Sequence, residues 1–289
     1  MHTFKTIVAL LAIPDITFLS GSCAQKKKFD SPQGYNLNNP QKIIMPEDLH
    51  EISGFFFYHG NPDTIYAEQD EAGKLYYLKP GDKQAASCKF GKKGDYEDVA
   101  LCNNYVVLLR SDGQLYSFPF SDIHNEEITS TKEWDSVLPQ GKYEGLYADE
   151  TTNLLYVLCK HCSDEKTSET GKGFILQLAN DGSITSKGGF EYDVRDIEAI
   201  TGSKKKLRFH PSALGKNPLT GEWYIVSSIN KMLVIADSSW KVKQAFNLDP
   251  ALYIQPEGIA FDKNNNLYIS NEGGDIHAGN VLKISYSGK

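Results

Sequence analysis

The chain has 289 residues, 40% of them hydrophobic and 23% charged, an ordinary globular composition long enough to bury a large core. A net charge of -7 argues against nucleic acid or an anionic membrane surface as the main partner and is compatible with a cation. Sixteen tyrosines and 14 phenylalanines suit strands, and neither a long helical pattern nor a second domain is evident.

Residues 1–23 read as an export signal. His2 and Lys5 give a weakly basic start, Ile7 to Leu19 is mostly apolar, and Ser20-Gly21-Ser22 precedes Cys23. This predicts lipoprotein-type cleavage, with Cys23 lipidated as the first mature residue. A plain cleaved signal is the alternative, because Pro14 and Asp15 interrupt the apolar run and Leu19 lies one place early for a lipobox. Residues 24–35 read as a polar tether and 36–289 as a single domain. No other segment is long and apolar enough to span a bilayer. The expected location is the cell envelope, periplasm-facing or surface-exposed, with membrane contact only through the lipid. A monomer is expected.

Gln41 to Met45 reads as a strand standing alone before the first unit. That unit follows Glu51. It has strands at Phe55 to Phe57, Ile65 to Ala67, Leu75 to Leu78 and Ala86 to Phe90, with turns at Gly60-Asn-Pro-Asp63 and Asp70-Glu-Ala-Gly73. A second unit follows Glu97, with Ser111-Asp-Gly113 as a turn and a weak last strand at Trp134 to Leu138. The third opens at Glu144 and contains a polar insertion, His161 to Lys172. Tyr192 to Lys206 then reads as a short helix or part of a sixth unit. The fourth opens at Ser212, turns at Asn217 to Gly221 and ends with Val242 to Leu248. The fifth opens at Glu257 and carries strands at Gly258 to Phe261, Leu267 to Ser270 and Val281 to Ser285.

The opening phrases are alike: Glu51-Ile-Ser-Gly, Glu97-Asp-Val-Ala, Glu144-Gly-Leu-Tyr, Ser212-Ala-Leu-Gly and Glu257-Gly-Ile-Ala, at intervals of 46, 47, 68 and 45 residues. Strand-rich units at this period predict an all-β fold, a β-propeller of four-stranded blades. Five blades are counted, and the 68-residue interval leaves room for a sixth. The strand at Gln41 to Met45 should complete the last blade, closing the ring and hiding its edges.

Each opening residue should head an innermost strand, and each second strand should return to the same face. That face is expected to collect Glu51, Glu97, Glu144 and Glu257, with Ser212 in the fifth place. Asp70, Glu71, Arg110, Lys160, Asn230, Asn271 and Glu272 should lie beside them. Two carboxylates about 4 Å apart repel by roughly 4 kcal/mol at an effective dielectric near 20. Some must protonate, pair with Arg110 or Lys160, or share a cation. Calcium, which takes six to eight oxygen ligands in irregular geometry, suits Glu51, Glu97, Glu144 and Glu257 with the Asn271 amide oxygen. Alternatively the glutamates accept backbone N–H groups of the next blade, and the small residues after them only let strands approach the axis.

Other features carry less. His210-Pro-Ser212 lacks a nucleophile elbow, and Ser212 fills the repeat position. Asp95 and Asp98 around Glu97 read as a solvated turn. Cys88, Cys102, Cys159 and Cys162 read as small buried residues, or as one local disulfide in an exported protein, since Cys159-Lys-His-Cys162 ends a strand rather than opening a helix. No phosphate-binding glycine loop, HExxH or complete EF-hand loop is present.

Seven phrases in order, Glu51-Ile-Ser-Gly, Asp95-Tyr-Glu-Asp-Val-Ala, Ser111-Asp-Gly-Gln-Leu-Tyr, Tyr143-Glu-Gly-Leu, His210-Pro-Ser-Ala-Leu, Gln255-Pro-Glu-Gly-Ile and Leu267-Tyr-Ile-Ser-Asn-Glu-Gly, resemble the SdiA-regulated (YjiK-like) family of bacterial envelope proteins. The resemblance runs from about Ile43 to Ile284 and departs from the family at Lys204 to Lys206. It implies a β-propeller distantly similar to phytase-like and six-bladed lactonase-type propellers, and a link to calcium. It implies no reaction. The leading expectation is a calcium-binding envelope lipoprotein that takes a small molecule or protein partner at the pore face. A metal-assisted phosphoesterase or lactonase, with Arg110 and Lys160 holding an anionic substrate, is the second. A scaffold with a purely structural pore face is the third.

Overall fold

The structure is a computed structural model that describes residues 28–162, 169–203 and 205–288. The first strand, β1 (Gln41–Ile44), stands apart from its neighbours in sequence. Blade one comprises β2 (Ile52–Phe56), β3 (Ile65–Gln69), β4 (Lys74–Leu78) and β5 (Ala86–Lys89). Blade two comprises β6 (Tyr96–Cys102), β7 (Tyr105–Arg110), β8 (Leu115–Pro119) and β9 (Lys132–Trp134). Blade three comprises β10 (Gly141–Asp149), β11 (Leu154–Cys162), β12 (Thr170–Leu178) and β13 (Ile184–Asp193), followed by the helix α1 (Val194–Thr201). Blade four comprises β14 (Ala213–Lys216), β15 (Trp223–Ser227), β16 (Met232–Ala236) and β17 (Val242–Asn247). Blade five comprises β18 (Pro256–Phe261), β19 (Leu267–Asn271) and β20 (Asn280–Ile284), with β1 as its outer strand.

Every pairing within a blade is antiparallel, and the five innermost strands neighbour one another in a closed circuit, β2, β6, β10, β14, β18 and back to β2. The protein is a five-bladed β-propeller. The N-terminal strand closes the ring as expected, with Gln41 opposite Lys283 and Ile44 opposite Asn280. A chain end from each terminus therefore shares one sheet, and the last blade has no unpaired inner neighbour.

The 68-residue interval holds no sixth blade. Two residue runs account for it. β11 and β12 are long strands that take up the two ends of the expected polar insertion, and residues 163–168 between them lie outside the described residues. The second run forms α1, whose N-cap Asp193 accepts the Arg195 N–H and whose C-cap Gly202 takes a left-handed φ of 67°.

Five apolar clusters fill the five spaces between neighbouring blades. Blade faces are thus covered on both sides, which is why β15 and β16 are buried along their whole length instead of alternating. Between blades three and four, Trp240 stacks on Phe190 with centroids 3.5 Å apart and on Trp223 at 4.3 Å. Tyr35 corrects the boundary of the tether. Its side chain is buried between blades four and five, and its hydroxyl donates to the Asn265 carbonyl at 2.8 Å while accepting from Asn217 and Asn265. The chain is anchored to the propeller before residue 36, and Cys23 lies outside the described residues.

Candidate functional site

The repeat glutamates of β6, β10 and β18 sit where the inner strands break register. In β6 the pairing skips Glu97, in β10 it skips Glu144 and Gly145, and in β18 it skips Glu257. β2 skips Ser53 and Gly54, so in blade one Ser53 stands at the break and Glu51 lies two residues before it. A bulge at this point adds one residue to the inner strand and re-aims its side chain. The small residues beside the bulges permit close approach of the next blade. A Cβ on Gly54 would lie 2.1 Å from Asp98 Oδ1 and 2.7 Å from the Val99 nitrogen, and one on Gly258 would lie 2.4 Å from the Ser53 carbonyl oxygen.

The acids gather at the end of the axis where the inner strands begin, as their mutual electrostatics show. Burial, then the charges of Glu144, Asp95 and Glu68, push the Glu97 carboxyl up to about 10. Burial also raises Glu144, although a hydrogen bond and the charge of Lys160 oppose it. Burial followed by Glu144 raises Glu257 to about 7, against hydrogen bonds from Ser228 and Ser212. Burial, Glu257, Asp70 and Glu51 raise Glu272 to about 7. Burial and Glu51 raise Asp70 to about 6. Glu51, Glu97, Glu144 and Glu257 therefore share one mouth, with Asp70 and Glu272 among them and Ser212 buried in the fifth place.

Two of the expected remedies for this crowding are present. Lys160 is ion-paired with Glu144. Burial by itself would lower the ammonium, but the bond to Glu144 and the charges of Glu144, Glu97 and Glu257 hold it raised. Glu97 lies close enough to Glu144, and Asp70 to Glu51, for each to feel the other's charge, and Asp70 Oδ1 is buried without a hydrogen-bond partner. Among the described residues, no three His, Cys, Asp or Glu side chains are disposed to hold a metal ion.

Several expected residues have other duties. Arg110 is turned into its own blade, donating to Asp112 at 2.9 and 2.6 Å and to the Tyr116 hydroxyl at 2.8 Å, so it does not neutralise the mouth. Asn271 is fully buried and donates to the Leu252 carbonyl and Asn280 Oδ1, while its own Oδ1 has no partner. Asn230 braces the chain by accepting from the His210 N–H at 3.0 Å and the Ser227 hydroxyl at 2.8 Å. Glu71 is exposed on the rim. Glu272 accepts from the Gln255 amide.

Asp98 is not part of a solvated turn. It is 5% exposed, and its Oδ2 accepts the Leu146 N–H of the next blade at 2.6 Å while Oδ1 accepts its neighbour Val99 at 2.8 Å. The blade-to-blade tie considered for the glutamates belongs to this aspartate and to Ser270, which donates to the Ser53 carbonyl at 2.7 Å.

Glu68 was missed from sequence. It is fully buried, accepts the Gly54 N–H at 2.7 Å through Oε1, and leaves Oε2 without a partner. Burial raises it well above the usual carboxylate range, with Asp98 and Asp70 adding to the effect. Its signal was an acid directly after the apolar run Ile65-Tyr-Ala67. Lys231, which donates to the Ser228 carbonyl at 2.7 Å and faces Glu257, was missed as well.

A separate cavity opens at the opposite end of the axis. It measures about 320 Å³ and is lined by the far ends of the inner strands, including Phe57, Leu101, Ala148 and Phe261. His59 and Glu150 meet there at 2.7 Å. None of the mouth carboxylates lines it.

No protein-family model matches the chain, and no curated protein does. Solved structures do. A glutaminyl cyclase from Myxococcus xanthus is similar at 13% identity over 86% of this chain and 94% of that one, with a TM-score of 0.55. A luciferin-regenerating enzyme is similar at 11% identity over 86% and 95%, with a TM-score of 0.52. A streptogramin B lyase is similar at 8% identity over 86% and 97%, with a TM-score of 0.50. At these identities the likeness establishes the propeller fold and says nothing of the activity.

Proposed function

We propose that the protein is a cation-binding β-propeller of the bacterial cell envelope, tethered by lipid on Cys23, whose acidic mouth takes calcium. One observation carries the metal reading: buried acids crowd the mouth, and burial with one another's charge makes them hold protons. A divalent cation satisfies the same oxygens without protons, and hard carboxylate oxygens are the donors calcium prefers. Glu97, Glu144 and Glu257 would hold it, with Glu51 and Asp70 beside them. The donors fit in kind, but among the described residues no three of them are disposed to hold a metal, so binding requires them to rotate and release protons. The buried, half-satisfied Glu68 adds a fixed acceptor below the mouth. The envelope location and membership of the SdiA-regulated family rest on the amino-terminal pattern and on the ordered phrases of the sequence.

Isothermal titration of the mature protein with calcium, in two buffers of different ionisation enthalpy, tests the reading. Binding with proton release that is stronger at pH 8 than at pH 6 is expected. No heat and no chelator-sensitive melting temperature would end it.

A second reading is favoured by the contact of Glu97, Glu144 and Lys160. A carboxyl that keeps its proton near neutrality beside one paired to a lysine is an acid–base pair suited to hydrolysis or elimination. Turnover of a phosphate ester or lactone that is lost in Glu144→Gln, with the fold intact, would establish it.

A further inference from the structure

Beside the mouth, on the outer side of Lys160, lies a second cavity of about 210 Å³. The end of β11, the start of β12, the junction of β13 with α1 and the segment before β14 enclose it. Four basic residues line it, Lys160, His161, Arg208 and His210, and among the described residues no Asp or Glu does. Tyr192, Phe209, Pro211 and Val194 supply the remaining wall. In a chain of net charge -7, a concave site with this one-sided charge is an exception.

We propose that this cavity binds the phosphate group of a compact phosphate monoester. Arg208 is exposed, and its guanidinium has no ion-pair partner among the described residues. The His161 and His210 rings lie 5.1 Å apart at 70°, edge to face, and both line the cavity. His210 Nδ1 is buried with no hydrogen-bond partner. A planar guanidinium and two imidazoles offer donors in several directions. That matches the three terminal oxygens of a phosphate dianion better than the two of a carboxylate. The His210 imidazole is held lowered by burial and then by His161, Lys160 and Arg208, and an anion among them would relieve that crowding. The aromatic and apolar wall suits an organic remainder, so a monoester should bind better than inorganic phosphate. The site does not depend on the calcium reading.

The test is titration of the mature protein, with chelator present, by phenyl phosphate, inorganic phosphate and benzoate, with imidazole signals followed by NMR. Phenyl phosphate is expected to bind at least ten-fold tighter than benzoate, to exceed inorganic phosphate, and to shift the His161 and His210 signals. Arg208→Gln, a surface change that leaves the fold intact, should weaken it at least ten-fold, and His210→Gln should also weaken it. Absence of phosphate binding, or binding unchanged in both variants, would overturn the proposal. Benzoate binding as tightly as phenyl phosphate would overturn the phosphate assignment. Chelator isolates the outcome from that of the mouth, because a failure here leaves calcium titration unaffected.

Discussion

The mouth carboxylates make a sharp prediction about stability, clearest at Glu257. Burial and the charge of Glu144 raise its carboxyl from its ordinary 4.5 to about 7. The folded state therefore holds this proton more tightly than the unfolded chain does. Its contribution is fully present below pH 4.5 and is lost as pH rises through 7. A rise of this size corresponds to about 3 kcal/mol of native-state penalty at pH 8, at about 1.4 kcal/mol per tenfold change in proton affinity. Glu257→Gln removes the charge but keeps a side chain of the same shape that can still meet Ser212 and Ser228, at a cost of about 1 kcal/mol in weaker hydrogen bonds. The metal-free variant should therefore be more stable than the parent at pH 8 by about 2 kcal/mol, or roughly 4–8 °C in melting temperature. At pH 4.5 the gain should vanish, because both proteins then carry a neutral group. Thermal unfolding followed by circular dichroism at pH 4.5, 6 and 8, with chelator, measures this. A variant less stable than the parent by the same amount at every pH would refute the reasoning. It would mean that Glu257 is neither buried among like charges nor poised for a cation.

Other parts of the fold make independent predictions. Asp98→Ala orphans the Leu146 and Val99 N–H groups and should cost about 2–5 kcal/mol in urea unfolding, with Asp98→Asn costing less because it keeps one acceptor. Gly54→Ala drives a methyl group into Asp98 and the β6 backbone and should cost about 1–3 kcal/mol or prevent folding, read in the same assay. Cys159 and Cys162 form a disulfide across three positions of sequence, and reducing it should cost about 2 kcal/mol, detectable as a lower melting temperature in reductant. Removing residues 28–45 deletes Tyr35 and β1 and leaves β20 as an open edge; size-exclusion chromatography should then show self-association in place of a monomer.

Much of the fold was legible because a repeated unit writes its own period. The five opening phrases, the turn residues between strands and the unpaired strand at Gln41 gave blade number, strand order and ring closure, all found in the sheets. Crowding of Glu97, Glu144 and Glu257 follows from the same symmetry, since equal positions in equal blades meet at one axis, whereas the equal position in blade one is Ser53, two residues after Glu51. What symmetry does not encode is the departure of each blade from its siblings. Arg110 ends β7 and Lys160 lies near the end of the equivalent β11, yet one folds back onto Asp112 and the other reaches Glu144. Glu97 and Asp98 are adjacent, yet the bulge sends one to the axis and the other into the next blade. The long third interval could be helix or strand by composition, and only packing of α1 against blades three and four chose. The sequence by itself thus determined the architecture and the place where charge accumulates, because period and turn chemistry are local properties. Only the tertiary structure decided which acids crowd one another, which of them a lysine reaches and where a basic cavity forms. Those depend on side-chain directions and burial set by residues distant along the chain.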